Sequence, residues 1–223
     1  MILAIDIETI PNRDIIPQLP EPEVKTGNLK DPDKIAAKVA EAKGKQIEKM
    51  ALNPLYGRIA SFAIKDVRGE SERVTLLGAV DDDGERELIQ DILKNVFACE
   101  ETRLATWNGN GFDLPYVYKR AVCLGINPAN FGAPPLSAWT KRYSNEKHFD
   151  LMQIWSGGGA HDFEKLDNVA SIVLGKKKVD CDVTKIIDML ETETGRSDLA
   201  KYNLEDARLT AELAERFIGT ICI

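Results

Sequence analysis

Histidine is almost missing from this chain of 223 residues, with only His148 and His161 present. A reaction built on a histidine base or a histidine-rich metal centre therefore has little to draw on. The four cysteines, Cys99, Cys123, Cys181 and Cys222, are scattered and include no CxxC pair. That spacing excludes zinc-finger ligation and argues against a disulfide framework. No apolar run reaches the roughly 18 residues of a membrane span. The start, MILAIDIETIPN, lacks a basic n-region and carries two carboxylates, so it does not read as a signal peptide and the expected location is cytoplasmic. Excess positive charge is lacking too: 29 Lys and Arg face 36 Asp and Glu, a formal net charge of −7. A long electrostatic grip on nucleic acid normally shows a basic footprint. An enzyme touching a few nucleotides at a strand end is not excluded, because bound divalent ions add positive charge that the formal count omits.

What remains is ordinary globular material, 43% hydrophobic and 29% charged, enough for one α/β domain over 1–223 with an insertion at about 20–52. ILAIDIE reads as a buried strand. After a proline- and charge-rich loop, a helix is predicted from about Pro32 to Leu52, with Asp31 as N-cap and Pro32 at its first position. Ile35, Val39, Ala42, Gln46 and Met50 share one face of it, and Lys34, Lys38, Lys45 and Lys49 gather opposite. Glu41 and Glu48 also lie on that charged face, so a solvated surface and a nucleic-acid arm both fit it. RIASFAIKDV and ERVTLLGAV suit an antiparallel hairpin. A helix over about 84–98, a strand RLATW, a glycine-rich loop and a helix from near Phe112 to Leu124 follow. The stretch from Gly125 to Lys147 reads as loop, HFDL as a short strand or turn, and about 164–174, 182–194 and 197–218 as helices. This order matches a ribonuclease-H-like mixed β-sheet flanked by helices, with a helical insertion after the first strand. Order alone also fits other α/β folds.

Three carboxylate motifs narrow the choice. Asp6 and Glu8 are two residues apart in the first strand, so they project to the same side, where like charges raise each other's pKa and a cation would relieve them. Asp113 ends the segment Trp107-Asn108-Gly109-Asn110-Gly111-Phe112-Asp113 at a strand-to-helix junction. There it could face a ligand, and it reads equally well as the cap of the following helix. Tyr202 and Asp206 stand one turn apart on the last helix, sharing a face. Each motif alone has a bland structural reading.

In this order they resemble the DEDD exonuclease superfamily in its tyrosine subclass: D-x-E, then N-x4-D with an aromatic before the Asp, then Y-x3-D. The likeness is to the proofreading exonuclease domains of family-B DNA polymerases and to stand-alone predicted exonucleases related to them. Asn53-Pro54-Leu55-Tyr56-Gly57-Arg58-Ile59, Tyr116 with Arg120-Ala121, His148-Phe149-Asp150-Leu151 and Leu166-Asp167-Asn168-Val169-Ala170 extend it over nearly the whole chain, apart from about 20–50.

The resemblance implies a 3′→5′ exonuclease that removes nucleotides from the 3′ ends of single-stranded nucleic acid, DNA favoured and RNA open, with two divalent cations, Mg²⁺ or Mn²⁺. It implies that Asp6 bridges both metals. Glu8 and Asp206 would complete the site of the nucleophilic water, and Asp113 would hold the second metal. Tyr202, with an ordinary pKa near 10, suits orienting that water better than deprotonating it. Thr9, Ile10, Asn108 and Phe112 are the implied substrate contacts, Phe112 reading equally as plain core. Trp139, Lys141, Arg142 and Tyr143 pair aromatics with cations as single-strand binders do. Lys176, Lys177 and Lys178 read as phosphate contacts or simply as solvated lysines, and Asp150 as a residue supporting the metal ligands or, better, as a helix cap. Low positive charge points to distributive action or tethering by a replication or repair protein. Rival readings are a silent nucleic-acid-binding module, an RNA-trimming enzyme resembling oligoribonuclease, and an endonuclease of the same fold.

Overall fold

The first strand, β1, runs from Ile2 to Pro11, and its period-two alternation organises the molecule. Leu3, Ile5 and Ile7 enter one buried cluster, whereas Ala4 enters a second cluster on the opposite face. Asp6 and Glu8 continue the Ala4 face. A computed structural model of the protein describes residues 1–25, 27, 31–141, 144–178 and 181–222. Among these, no helix is long and apolar enough to cross a membrane.

Strand β1 pairs antiparallel with β2 (Gly57–Asp66) and parallel with β4 (Arg103–Thr106). Strand β3 (Glu72–Leu76) extends the hairpin from β2, and β5 (His148–Asp150) lies parallel to β4. The order β3-β2-β1-β4-β5 is the expected ribonuclease-H-like mixed sheet, with β1 at its centre. One cluster packs α2 (Asp82–Ile92), α3 (Asp113–Cys123), α4 (Leu136–Trp139) and α7 (Ile186–Met189). The other packs α5 (Leu151–Trp155), α6 (Leu166–Val173) and most of α8 (Glu193–Phe217).

The long connection between β1 and β2 holds α1 (Pro32–Glu48), followed by a 3-10 turn at Lys49–Leu52. Asp31 caps α1 through the amides of Asp33 and Lys34, as predicted. No residue of α1 is buried. The expected inward face is only half-covered at Ile35, Val39, Ala42 and Gln46, and Met50 alone enters the core.

Several expectations are corrected. The helix expected over 84–98 starts at Asp82 and passes into a π-turn at Leu93–Phe97. The loop expected over 125–147 contains a 3-10 turn at Pro128–Phe131 and the short α4. The single helix expected over 182–194 is a 3-10 turn (Val183–Lys185) and the one-turn α7. It stops because Thr192, extended in backbone, caps a new helix by accepting the Gly195 amide at 3.0 Å. A Cβ at Gly195 would come within 2.4 Å of the Met189 carbonyl oxygen, so the chain turns tightly there. Helix α8 consequently begins at Glu193 instead of 197.

The expected single-strand-binding loop is not what the structure presents. Trp139 is 2% exposed, packs 5.4 Å from the Phe97 ring and donates its indole N–H to Tyr118. It is a core residue, with its polar atom satisfied. Lys141 is exposed, and Arg142 and Tyr143 lie outside the described residues.

Candidate active site

Strand β1 and helix α8 build the site. Asp6 and Glu8 point from β1 toward α8, where Tyr202 and Asp206 sit one turn apart on the facing side. Carboxylate oxygens of Asp6, Glu8 and Asp206 lie within 4.8 Å of one another. The pairing of β1 with β2 shifts register between Glu8 and Thr9, a bulge that re-aims the strand just past the two acids.

Asp6 is held by a residue that its sequence context does not advertise. Asn203 donates from Nδ2 to Asp6 Oδ2 at 2.6 Å and accepts the Ser61 hydroxyl at 2.8 Å. All three side chains come from different elements, so β1, β2 and α8 are locked at this point. The only advance signal was spacing: Asn203 stands three residues before Asp206, on the same helix face.

Asp113 opens α3 and is buried, but it does not cap the helix: Phe112 holds the cap position without a side-chain bond. Asp113 Oδ1 instead accepts the Ile7 amide of β1 at 3.2 Å. It stands beside the trio, and after burial its charge is the largest influence raising Asp6. Asp150 does cap α5, through the Gln153 amide, as expected. The same carboxylate also accepts the amides of Asn108 and Asn110, pinning the glycine-rich loop, where Asn108 adopts a left-handed φ of 72°.

Lys178 is the largest surprise. Its Nζ lies 2.5 Å from Asp206 Oδ2 and 4.7 Å from the centre of the Tyr202 ring. Its backbone amide donates to Asp167, which turns the chain back over α8. The solvated reading fails for this lysine, although Lys176 remains a half-exposed partner of Glu212. A lysine run beside a glycine carries no signal of which member turns inward.

The electrostatics follow from crowding acids out of water. Burial pushes the Glu8 carboxyl up to about 8; Lys178 opposes this, and Asp206 and Asp113 add to it. Burial raises Asp113 to about 7 against the pull of its own and the Ile7 amide. Asp6 is raised well above its ordinary value by burial and then by Asp113, Glu8 and Asp206. Asp206 is raised by burial, with Lys178 holding it down. Burial and the Glu8 charge push the Tyr202 phenol above its ordinary range, so it stays protonated at neutral pH.

A group whose folded-state pKa is raised stabilises the fold below its unfolded pKa and loses that contribution as pH rises. For Glu8 the window runs from 4.5 to about 8, and for Asp113 from 3.8 to about 7. The melting temperature of metal-free protein in chelator should therefore fall between about pH 5 and pH 8. Saturating Mg²⁺ or Mn²⁺ should remove most of that fall by compensating the carboxylates. A flat melting temperature across this window would contradict the assignment.

The donor set suits a hard divalent cation, which takes carboxylate oxygens and tolerates retained waters. Among the described residues, Asp206 Oδ1 is buried without a hydrogen-bond partner, a costly arrangement that a cation would relieve. Beside this cluster a cavity of about 380 Å³ is lined by Glu8, Thr9, Ile10, Phe112, Ile47, Ala51 and Leu52, among others. Thr9 and Ile10, expected to contact substrate, both line it. Phe112 is half-buried against Tyr116 and also lines the cavity. Asn108 is not among the lining residues.

Comparison with known proteins gives a consistent match. Residues 52–211 match the family described as a predicted 3′-5′ exonuclease related to the exonuclease domain of PolB. That stretch includes Asp113, Tyr202 and Asp206, while β1 precedes it. A DNA polymerase from Thermococcus aggregans is 33% identical over 142 residues, 60% of this chain and 8% of the polymerase. One from Pyrococcus glycovorans is 34% identical over 140 residues, 60% of this chain and 18% of the polymerase. The chain thus spans under a fifth of the length of these two relatives. Among solved structures, the family B DNA polymerase of Pyrobaculum calidifontis superposes with a TM-score of 0.62 at 23% identity, covering 97% of this chain and 24% of that one.

Proposed function

The chain belongs to the family of predicted 3′→5′ exonucleases related to the exonuclease domain of PolB, and from that membership we propose that it removes nucleotides one at a time from the 3′ end of single-stranded DNA. The observation that carries this reading is the convergence of Asp6, Glu8 and Asp206 within 4.8 Å, with Asp113 behind them and Tyr202 on the adjoining helix turn. Asp6, Glu8 and Asp206 would hold one divalent ion, and Asp6 with Asp113 a second, Mg²⁺ or Mn²⁺. When bound, such ions stabilise the charge that develops on the attacking and leaving oxygens of an in-line phosphodiester displacement.

The protein's own groups then do the positioning. Asn203 fixes one oxygen of Asp6 and leaves the other for ligation. The Tyr202 hydroxyl, kept protonated by its surroundings, orients the attacking water by a hydrogen bond. Lys178 neutralises Asp206 while no cation does so, and lies near enough to Tyr202 to fix the ring. The pocket beyond Glu8 receives the terminal nucleoside against Thr9, Ile10 and Phe112.

Replacing Tyr202 by Phe removes one hydrogen bond to the reacting water and leaves every carboxylate in place. The rate should fall roughly 10- to 100-fold, the worth of about 1–3 kcal/mol. Affinity for Mn²⁺, read by titration calorimetry, should be nearly unchanged. An equal loss of metal affinity would place Tyr202 in the metal site instead.

The direct test of the activity offers linear and circular single strands of the same DNA sequence with Mn²⁺. Linear DNA should be consumed and the circle should survive. Cutting of the circle would mean an endonuclease, and retarded but intact linear strands a binding module. A linear RNA of the same sequence, degraded faster than the DNA, would move the substrate to RNA.

A further inference from the structure

We propose that the turn at residues 49–52 is a substrate-specificity wall, which packs against the base of the 3′-terminal nucleotide in the cavity that Phe112 also lines. The inference rests on the exonuclease reading and adds to it a recognition element lying almost entirely outside the matched stretch 52–211.

Three observations converge on this turn. Leu52 is 67% exposed, although the segment carrying it is firmly held. Met50 plugs the core at 2% exposure, the Ala51 carbonyl accepts the Tyr116 hydroxyl at 2.9 Å, and the Pro54 carbonyl accepts Arg120 Nη1 at 3.0 Å. At Gly57, where β2 begins, a Cβ would lie 2.1 Å from the Tyr116 hydroxyl and 2.8 Å from the Met50 carbonyl oxygen. This close approach brings the turn down onto β2.

The second observation is direction. Ile47, Ala51 and Leu52 line the same cavity as Ile10 and Phe112, and that cavity includes Glu8 of the carboxylate trio. The third is chemistry. The cavity is mostly apolar, with a few polar groups in its lining, Glu8, Arg13 and Glu48 among them. Flat, weakly polar faces with hydrogen-bonding edges fit such a slot, and a nucleobase has that form. A sugar-phosphate alone would leave the apolar wall without a partner. Because the wall is preorganised, its contact with the base costs little ordering on binding.

The test compares wild type, Leu52→Ala and Leu55→Ala on two 5′-labelled DNA strands. One ends in an ordinary nucleotide and the other in a 3′-terminal abasic deoxyribose. Leu55 is the control, since it is 58% exposed only three residues on and does not line the cavity. For the ordinary end, Leu52→Ala should raise KM about tenfold with kcat little changed, as loss of a base contact requires. For the abasic end, Leu52→Ala and wild type should coincide, and Leu55→Ala should match wild type on both. An unchanged KM on the ordinary end, or an equal rise on both ends, overturns the wall. If wild type degrades neither strand, the exonuclease reading itself fails, which is a different outcome.

Discussion

Asp6→Asn should lower the rate of strand shortening by at least about a thousandfold while making the metal-free protein more stable at pH 8. The two effects have one cause. Asp6 stands at the centre of the cluster, close enough to Asp113, Glu8 and Asp206 for each to raise its pKa. Losing the central carboxylate would weaken both proposed cation positions, and charge stabilisation by such ions is worth several kcal/mol, of which about 4 make a thousandfold. The amide keeps an oxygen to accept the Asn203 bond, so the tie between β1 and α8 survives. Without cation the same substitution deletes one of several mutually repelling buried charges, and above the raised pKa values that relief favours the folded state. A melting curve in chelator at pH 8 and a rate assay with Mn²⁺ would measure both. Inactivity through simple misfolding would show as a lowered melting temperature, the opposite sign.

Arg120→Ala should cost roughly 3–5 kcal/mol of stability. Arg120 and Glu85 are 3% and 0% exposed and are joined by two bonds, at 2.9 and 2.6 Å. Glu85 also accepts the Ile59 amide of β2, while Arg58 approaches it only to 3.9 Å and is engaged with Asp14 and Asp82. Removing Arg120 leaves a buried carboxylate with one amide and a distant cation, the costly way to break a buried pair. It also frees the Pro54 carbonyl at the platform beneath Leu52. Urea denaturation measures the loss. The double variant Arg120→Met with Glu85→Leu should recover part of it, because no unpaired charge is then buried. A loss below about 1 kcal/mol would show that the network is not structural.

The strand alternation at Leu3 to Glu8, the hairpin, the Asp31 cap and the order of the three acidic motifs were all legible in the sequence. Each depends on local periodicity or on chemistry within a few residues. What stayed hidden depends on contacts distant along the chain. Nothing near Lys178 marks it as the lysine that reaches Asp206, and nothing near Asn203 tells that its partner is 197 residues away. Trp139 looked like a stacking platform because a loop composition cannot reveal that Phe97 and Tyr118 bury it. Asp113 posed a different problem, since cap and ligand share the same residue type and position. The bond from Ile7 turns it toward β1.

In the proposed function this acidic cluster hydrolyses the last phosphodiester at a free 3′ end. The most direct measurement is the fate of a label on the 3′-terminal nucleotide of a single-stranded DNA, with Mn²⁺, at the earliest times at which any product forms. The label should leave at once as a mononucleotide while a 5′ label remains in a strand one residue shorter. A 3′ label that first appears in longer fragments, or never leaves the strand, would contradict it.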